Sequence, residues 1–186
     1  QPCLSPVWDT GLTAHAILEA HVEKTDLLDQ SFEWLKKLQI LDQVGDWAHR
    51  RKNLKPGGWA FQYRNDFYPD VDDTAVIAMA LHRQDPKKYA ESIKRAEEWI
   101  VGMQSSNGGW AAFDVENEFY LLEHMPFADH GALLDPPSSD VTARCISLLG
   151  QIGYEMDDEV VRKGITFLKR EQEKDGSWFG RWGTNY

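Results

Sequence analysis

Asp70, Asp72 and Asp73 stand within four positions of one another in "FYPDVDDTAV" (67–76), after a proline and before a run of small and apolar residues. Carboxylates this close repel each other, and burial adds to the effect, so one of them is pushed toward its protonated form. A neutral carboxylic acid at the end of an apolar cavity can donate a proton. Aromatic faces, negative by their quadrupole, stabilise a cation. Acid, aromatic walls and little water together suit the acid-initiated cyclisation of a polyene. Two blander readings stay open. The carboxylates can cap the helix that follows and face solvent. They can also bind Ca²⁺, since Asp-Val-Asp-Asp resembles the start of an EF-hand loop, although the sixth position is Ala75 rather than glycine.

The elements that must position these groups repeat along the chain. "MQSSNGGW" (103–110) and "EQEKDGSW" (171–178) both read Gln, three residues, Gly, one residue, Trp. "LQILDQVGDW" (38–47) reads as a looser copy, with Gln39, Gly45 and Trp47. Five residues before each glutamine stands an aromatic: Trp34, Trp99 and Phe167. A second element runs in step. "WDTGLTAHAIL" (8–18), "DDTAVIAMAL" (72–81) and "DVTARCISLL" (140–149) align on Thr10, Thr74 and Thr142. Asp and Thr at such starts read as N-caps, and Pro6, Pro69 and Pro136-Pro137 upstream keep helix from beginning earlier.

The unit is therefore a capped apolar helix, a connector, an amphipathic helix and a glycine turn with tryptophan, repeated every ~65 residues. Three such units predict an all-α fold of the α/α-toroid (α/α-barrel) type. The charge-poor first helix should be inner and buried, and the second, bearing Lys and Glu, outer. Residues 1–186 are expected to form a single partial α/α-barrel domain, an internal piece of a longer protein. The Gln and Trp of each turn read as structural: the amide meets orphan backbone groups at a helix end, and the indole packs on the neighbouring unit.

This register sets Asp72 level with Trp8 and Asp140, at the starts of three successive inner helices. The long connectors 48–69 and 111–137 carry Phe61, Phe67, Tyr68, Phe113 and Phe127 toward the same mouth. Long aromatic loops over an apolar cavity describe a small-molecule site. Arg144 lies four residues after Asp140, on the same helix face, where the two can pair. Alternatively it approaches Asp72 from the next unit, and a fixed cation there favours loss of the acid's proton.

Other function classes find little support. The formal net charge is −10 and there is no basic stripe, which argues against nucleic acid. No apolar run approaches the ~20 residues of a spanning helix. Cys3 and Cys145 give neither a disulfide framework nor metal-ligand spacing, and the six histidines show none either. There is no phosphate-cradling glycine loop and no serine nucleophile elbow.

"DVDDTA" with flanking "FYP", the Gln/Trp turns, "QPCLSPVWDTG", "KPGGWAFQ", "GMQSSNGGWAAFDVEN", "DPPSSDVTARC" and "KREQEKDGSWFGRWGTNY" together resemble the bacterial squalene–hopene cyclase family over essentially the whole chain. Class II diterpene cyclases share Asp-x-Asp-Asp alone, and oxidosqualene cyclases carry a single Asp before Cys-Thr-Ala. The resemblance implies that squalene folds between two α/α-barrel domains and is protonated at a terminal double bond. Ring closure through carbocations then gives hopene or hopanol, with no metal or organic cofactor. It implies Asp72 as the proton donor and Asp70 and Asp73 as supporting carboxylates. Asp140 matches a carboxylate of the acid's hydrogen-bond network, and Arg144 replaces a His of commonly studied members. A permanent cation there should remove one pH dependence of the acid. Trp8, Phe61, Phe113 and Trp182 are implied as cavity walls, with Phe113 in place of a Tyr, and Phe127 as part of the entrance channel. The family is also monotopic, entered from the lipid side at the cytoplasmic face of the bacterial membrane, and homodimeric. A class II diterpene cyclase or a non-catalytic α/α-repeat binding module are the alternatives. An α/α-toroid glycosidase would need a second acid across a polar groove, and the neighbours here are apolar.

Overall fold

Among the described residues there are six α-helices: α1 (Pro6–Glu19), α2 (Asp26–Lys37), α3 (Val71–Gln84), α4 (Ala90–Gly102), α5 (Ser139–Gln151) and α6 (Glu159–Arg170). A computed structural model describes residues 4–20, 25–117, 119 and 134–180. Among these the only β-type pairing is isolated bridges, one at each Gln/Trp turn. The chain divides into two compact units, Gln1–Gly102 with α1 to α4 and Met103–Tyr186 with α5 and α6.

Local sequence accounts for the outer helices. In α2 the Thr25 side chain accepts the Leu28 N–H, Asp26 and Asp29 occupy the first turn, and Lys36 and Lys37 the last, as the helix dipole favours. Its buried stripe is Leu28, Phe32 and Leu35, and that of α6 is Val161, Gly164 and Phe167. α3 is different: from Val71 to Leu81 every residue except Asp72 is buried. Small side chains at Ala75, Ala78 and Ala80 let neighbours close on all sides. The expected burial of the first helix thus holds for α3 but not for α1, which buries only Val7, Gly11 and Ala14 and leaves Leu12 39% exposed. α1 packs one stripe on α3, so close that a Cβ on Gly11 would stand 2.9 Å from Ile77 Cγ1.

The glycine turns fasten each unit. Gln39 Nε2 donates to the Gly57 carbonyl (2.8 Å) and to the Ser92 carbonyl of α4 (2.9 Å). Gln104 Nε2 donates to the Gly108 carbonyl (2.9 Å) and to the Val160 carbonyl of α6 (2.9 Å). This corrects the expected partners of Gln39. Its turn is Gly57-Gly58-Trp59, not Gly45 and Trp47, because residues 40–56 are inserted between the glutamine and its glycines. Trp47 is instead a core residue, edge-on to Trp99 at 5.8 Å.

Gly108 is a sharp test of this fastening. It has φ +94°, and a Cβ there would run into the Lys163 carbonyl of α6. Gly153 has φ +109° but open space around it. Gly153→Ala should cost only the left-handed backbone penalty, about 1–2 kcal/mol. Gly108→Ala should cost roughly 3 kcal/mol or more, since overpacking adds to that penalty. Urea unfolding of the two variants checks this, and equal losses would mean that the contact with α6 contributes nothing.

Candidate active site

The acid cluster is built on the start of α3. Asp70 is in extended conformation, and its Oδ1 accepts the N–H groups of Asp72 (2.7 Å) and Asp73 (3.2 Å). This is N-capping, so the capping reading describes Asp70 but leaves the other two carboxylates unexplained. The cap is tied to the glutamine turn. The Asp70 N–H donates to the Trp59 carbonyl (2.7 Å), and the Asp70 carbonyl accepts the Thr74 hydroxyl (2.6 Å). Thr74 Oγ1 in turn accepts the Trp59 N–H (2.9 Å). The second unit repeats the device: Ser138 N–H donates to the Trp110 carbonyl (3.0 Å), and Trp110 N–H to Thr142 Oγ1 (3.0 Å).

The aligned threonines are therefore not caps. Asp70 and Ser138 hold the N-cap positions, and Thr74 and Thr142 lie at the fourth helical residue. A hydroxyl one turn inside a helix can reach back to the carbonyl four residues earlier and still accept a bond from elsewhere.

Asp73 is 1% exposed, and its Oδ1 is buried without a hydrogen-bond partner. Burial, with the carboxylates of Asp70 and Asp72 beside it, pushes its carboxyl up to about 9; its own backbone N–H pulls the other way, and Asp9 adds to the rise. Asp73 is thus neutral at pH 7. Asp72, next to it, is half-buried. Asp9 was missed by the sequence argument. It stands on the first turn of α1, where the Ser5 hydroxyl donates to its Oδ2 (3.0 Å). The signal was present: in the alignment on Thr10 and Thr74, Asp9 falls level with Asp73. The capping question had absorbed the acids before the threonines.

The other candidates are more dispersed. Trp8 is half-buried on the first turn of α1, and Phe61 is half-buried two residues beyond Trp59. In the second unit Phe113 is half-buried, and its backbone N–H donates to Asp135 Oδ2 (2.6 Å). Asp140 and Arg144 are half-buried on α5, and Gly180 passes so close that a Cβ would lie 3.6 Å from Asp140 Oδ2. Phe127 and Trp182 lie outside the described residues. Phe67 and Tyr68, expected at the mouth, are 56% and 47% exposed. The Tyr68 hydroxyl donates to Asp46 Oδ2 (3.3 Å), which turns it over the 46–49 segment. A hollow of about 440 Å³ opens between α1 and α2, lined by Asp9, Thr13, Ile17 and Leu28 among others. Among the described residues no group of three or more His, Cys, Asp and Glu is arranged to hold a metal ion.

An all-helical repeat with Gln/Trp turns has the fold of the type II terpene cyclases. The solved structure of the type II terpene cyclase MstE from Scytonema, in its apo form, matches with a TM-score of 0.58 over 95% of this chain and 44% of that one, at 15% identity. Residues 4–186 match the family model described as the squalene-hopene cyclase C-terminal domain, and the chain belongs to that family. It is 58% identical to a squalene-hopene cyclase of Schizosaccharomyces japonicus and 56% identical to that of Zymomonas mobilis, each over 100% of this chain. A squalene-hopene cyclase of Alicyclobacillus acidocaldarius is 50% identical over the same extent. The chain spans about 30% of the length of these relatives. They include a fission yeast, so the family is not confined to bacteria.

Proposed function

We propose that this chain is the acid-bearing segment of a triterpene cyclase that protonates squalene and drives its polycyclisation to hopene or hopanol. The observation that carries the reading is the acid cluster at the start of α3, a helix buried from Asp73 to Leu81. Asp73 holds a proton at neutral pH but is sealed from any substrate, whereas Asp72, its neighbour, is the single residue of 71–81 that is not buried. Asp72 is the donor: the proton that the cluster holds shifts from Asp73 to Asp72 and passes from the Asp72 O–H to the terminal carbon of an alkene, whose π electrons form the new C–H bond and leave a tertiary cation. Successive double bonds attack that cation, and the last one loses a proton or takes up water. The carboxylate left on Asp72 sits in the first turn of α3, where the helix dipole favours negative charge. Asp70 positions it through the cap, and Asp73, whose burial favours the protonated form, is the neighbour from which the proton comes.

Trp8 and Phe61 in the first unit, Phe113 in the second, and Phe127 and Trp182 are the aromatic residues proposed to stabilise the migrating charge in the full-length enzyme. Asp140 and Arg144, both on α5, are proposed as a further carboxylate and a permanent cation of the full-length enzyme's site. The substrate is apolar, so delivery from a lipid surface is the natural route. None of the helices among the described residues is long and apolar enough to cross a membrane. From the family resemblance the full-length enzyme is proposed to be a monotopic homodimer on the cytoplasmic face, working without metal or organic cofactor. Supplying squalene to the purified full-length protein and extracting the lipids tests the reading; pentacyclic triterpenes are expected. A folded enzyme that leaves squalene untouched but cyclises a diterpene diphosphate would overturn it.

A further inference from the structure

The connector between the second glutamine turn and α5 is fastened by side chains where its backbone cannot pair. Trp110 and Ser138 form an antiparallel bridge, with the Ser138 N–H on the Trp110 carbonyl at 3.0 Å. The same register sets Ala111 and Ala112 opposite Pro137 and Pro136, and Phe113 opposite Asp135. Proline has no N–H to give, so the ladder cannot continue through the backbone. The Asp135 carboxylate takes over: its Oδ2 accepts the Phe113 N–H at 2.6 Å. That carboxylate is firmly mounted. The proline after it favours extended backbone at Asp135, and Pro136, Pro137 and Ser138 are all buried.

The far side of Phe113 is held as well. Val115 is fully buried, and Glu116 has φ +59°, the only positive φ outside glycine among the described residues. Such a residue costs about 1–2 kcal/mol and needs contacts to keep it there. The Glu116 N–H donates to Ser105 Oγ (3.0 Å), and Glu116 Oε2 accepts the Ser106 N–H (3.0 Å) and hydroxyl (2.6 Å). Backbone strain of this kind clusters at functional sites. The repeat itself does not demand these contacts. Counted from Trp59 and Asp70, the first-unit positions that match Phe113 and Asp135 are Gln62 and Phe67, and a phenylalanine side chain has no acceptor to offer. A fastening that the second unit has and the first cannot copy serves something other than the shared fold.

We propose that Asp135 is a positioning residue for Phe113, and that with the Glu116 latch it fixes where the Phe113 ring can stabilise a cation and so governs how far cyclisation runs. This rests on the proposed function, in which Phe113 is one of the aromatics that stabilise the migrating charge. A ring held in place protects the cation until the next double bond attacks it. With the ring displaced, the cation escapes before all rings have closed. It loses a proton to give an alkene, or takes up water and releases a proton to give an alcohol. Either escape yields a partially cyclised triterpene.

The test uses the full-length enzyme with squalene and reads the product ratio. Asp135→Ala should raise the share of partially cyclised products several-fold, while squalene consumption changes much less. Asp135→Asn, whose amide oxygen can still accept the Phe113 N–H, should keep the wild-type ratio. Glu116→Gly removes the latch without strain, because glycine adopts positive φ freely, and should shift the ratio in the same direction; it carries the test if Asp135→Ala does not fold. In a Phe113→Leu background, Asp135→Ala should add nothing further. Amide hydrogen exchange needs no catalysis: Asp135→Ala or, failing that, Glu116→Gly should speed exchange at Phe113, by about tenfold for loss of one charge-assisted hydrogen bond. A folded Asp135→Ala or Glu116→Gly enzyme with the wild-type product ratio would overturn the proposal. So would a shift of equal size on top of Phe113→Leu, or unaltered exchange at Phe113. A wild-type enzyme that leaves squalene untouched would instead sink the cyclase reading, and exchange would still decide whether Asp135 holds Phe113.

Discussion

Replacing Asp72 with Asn in the full-length enzyme should lower squalene turnover by roughly 10³-fold or more, the upper part of the range for loss of a general acid. The amide keeps the shape of the carboxyl and leaves the backbone N–H that Asp70 caps, but it has no proton of useful acidity. Binding should survive, because the aromatic and apolar walls do not involve this group. The expected signature is therefore a collapse of kcat with KM nearly unchanged. The thermal midpoint should move little, since Asp72 is half-buried and the cap remains. Comparable turnover by Asp72→Asn would mean that another group delivers the proton. Loss of both activity and cooperative unfolding would assign Asp72 to the fold instead.

The second large effect concerns pH. The Asp73 carboxyl is raised from an ordinary value near 3.8 to about 9 in the folded protein. The native state therefore binds this proton more tightly than the unfolded chain does. The stabilisation is complete below about pH 4 and is lost as pH rises through the window up to about 9. The slope is at most about 1.4 kcal/mol per pH unit, and smaller where Asp70 and Asp72 share the titration. Asp73→Asn removes that slope. The buried amide carries its own constant cost, so the diagnostic is the difference between the two curves. Relative to wild type, the variant should gain stability steadily from pH 5 to pH 8 when thermal midpoints are compared. Parallel curves would show that Asp73 is ionised in the folded protein or neutral in both states.

Much of this was legible from spacing. The recurrence of Gln, Gly and Trp, with an aromatic five residues ahead, gave the repeat and the paired helices, because each turn needs the same few atoms in the same order. The crowding of Asp70, Asp72 and Asp73 announced a protonated acid, but not which one. That depends on how completely neighbours close around Asp73 and leave Asp72 uncovered, a tertiary property with no local signal. The insertion of 40–56 misled the reading of Gln39, since Gly45 and Trp47 mimic the motif while Gly57-Gly58-Trp59 performs it. Thr74 and Thr142 looked like caps because Thr is common there; their bonds to tryptophan N–H groups come from chain far upstream. Asp9 acts from another helix, and only packing of α1 on α3 brings its charge to bear on Asp73.

The bonds between Thr74, Asp70 and Trp59 have a consequence for how variants of this protein will behave. Gln39 holds Gly57, the adjoining Trp59 is hydrogen-bonded to Thr74, and Thr74 holds the residue that aims the acid. On the proposed mechanism, the turn's stability and the acid's placement rest on the same short relay of atoms. If Asp72 is the acid, a substitution at Gln39 should register in an assay as a catalytic defect.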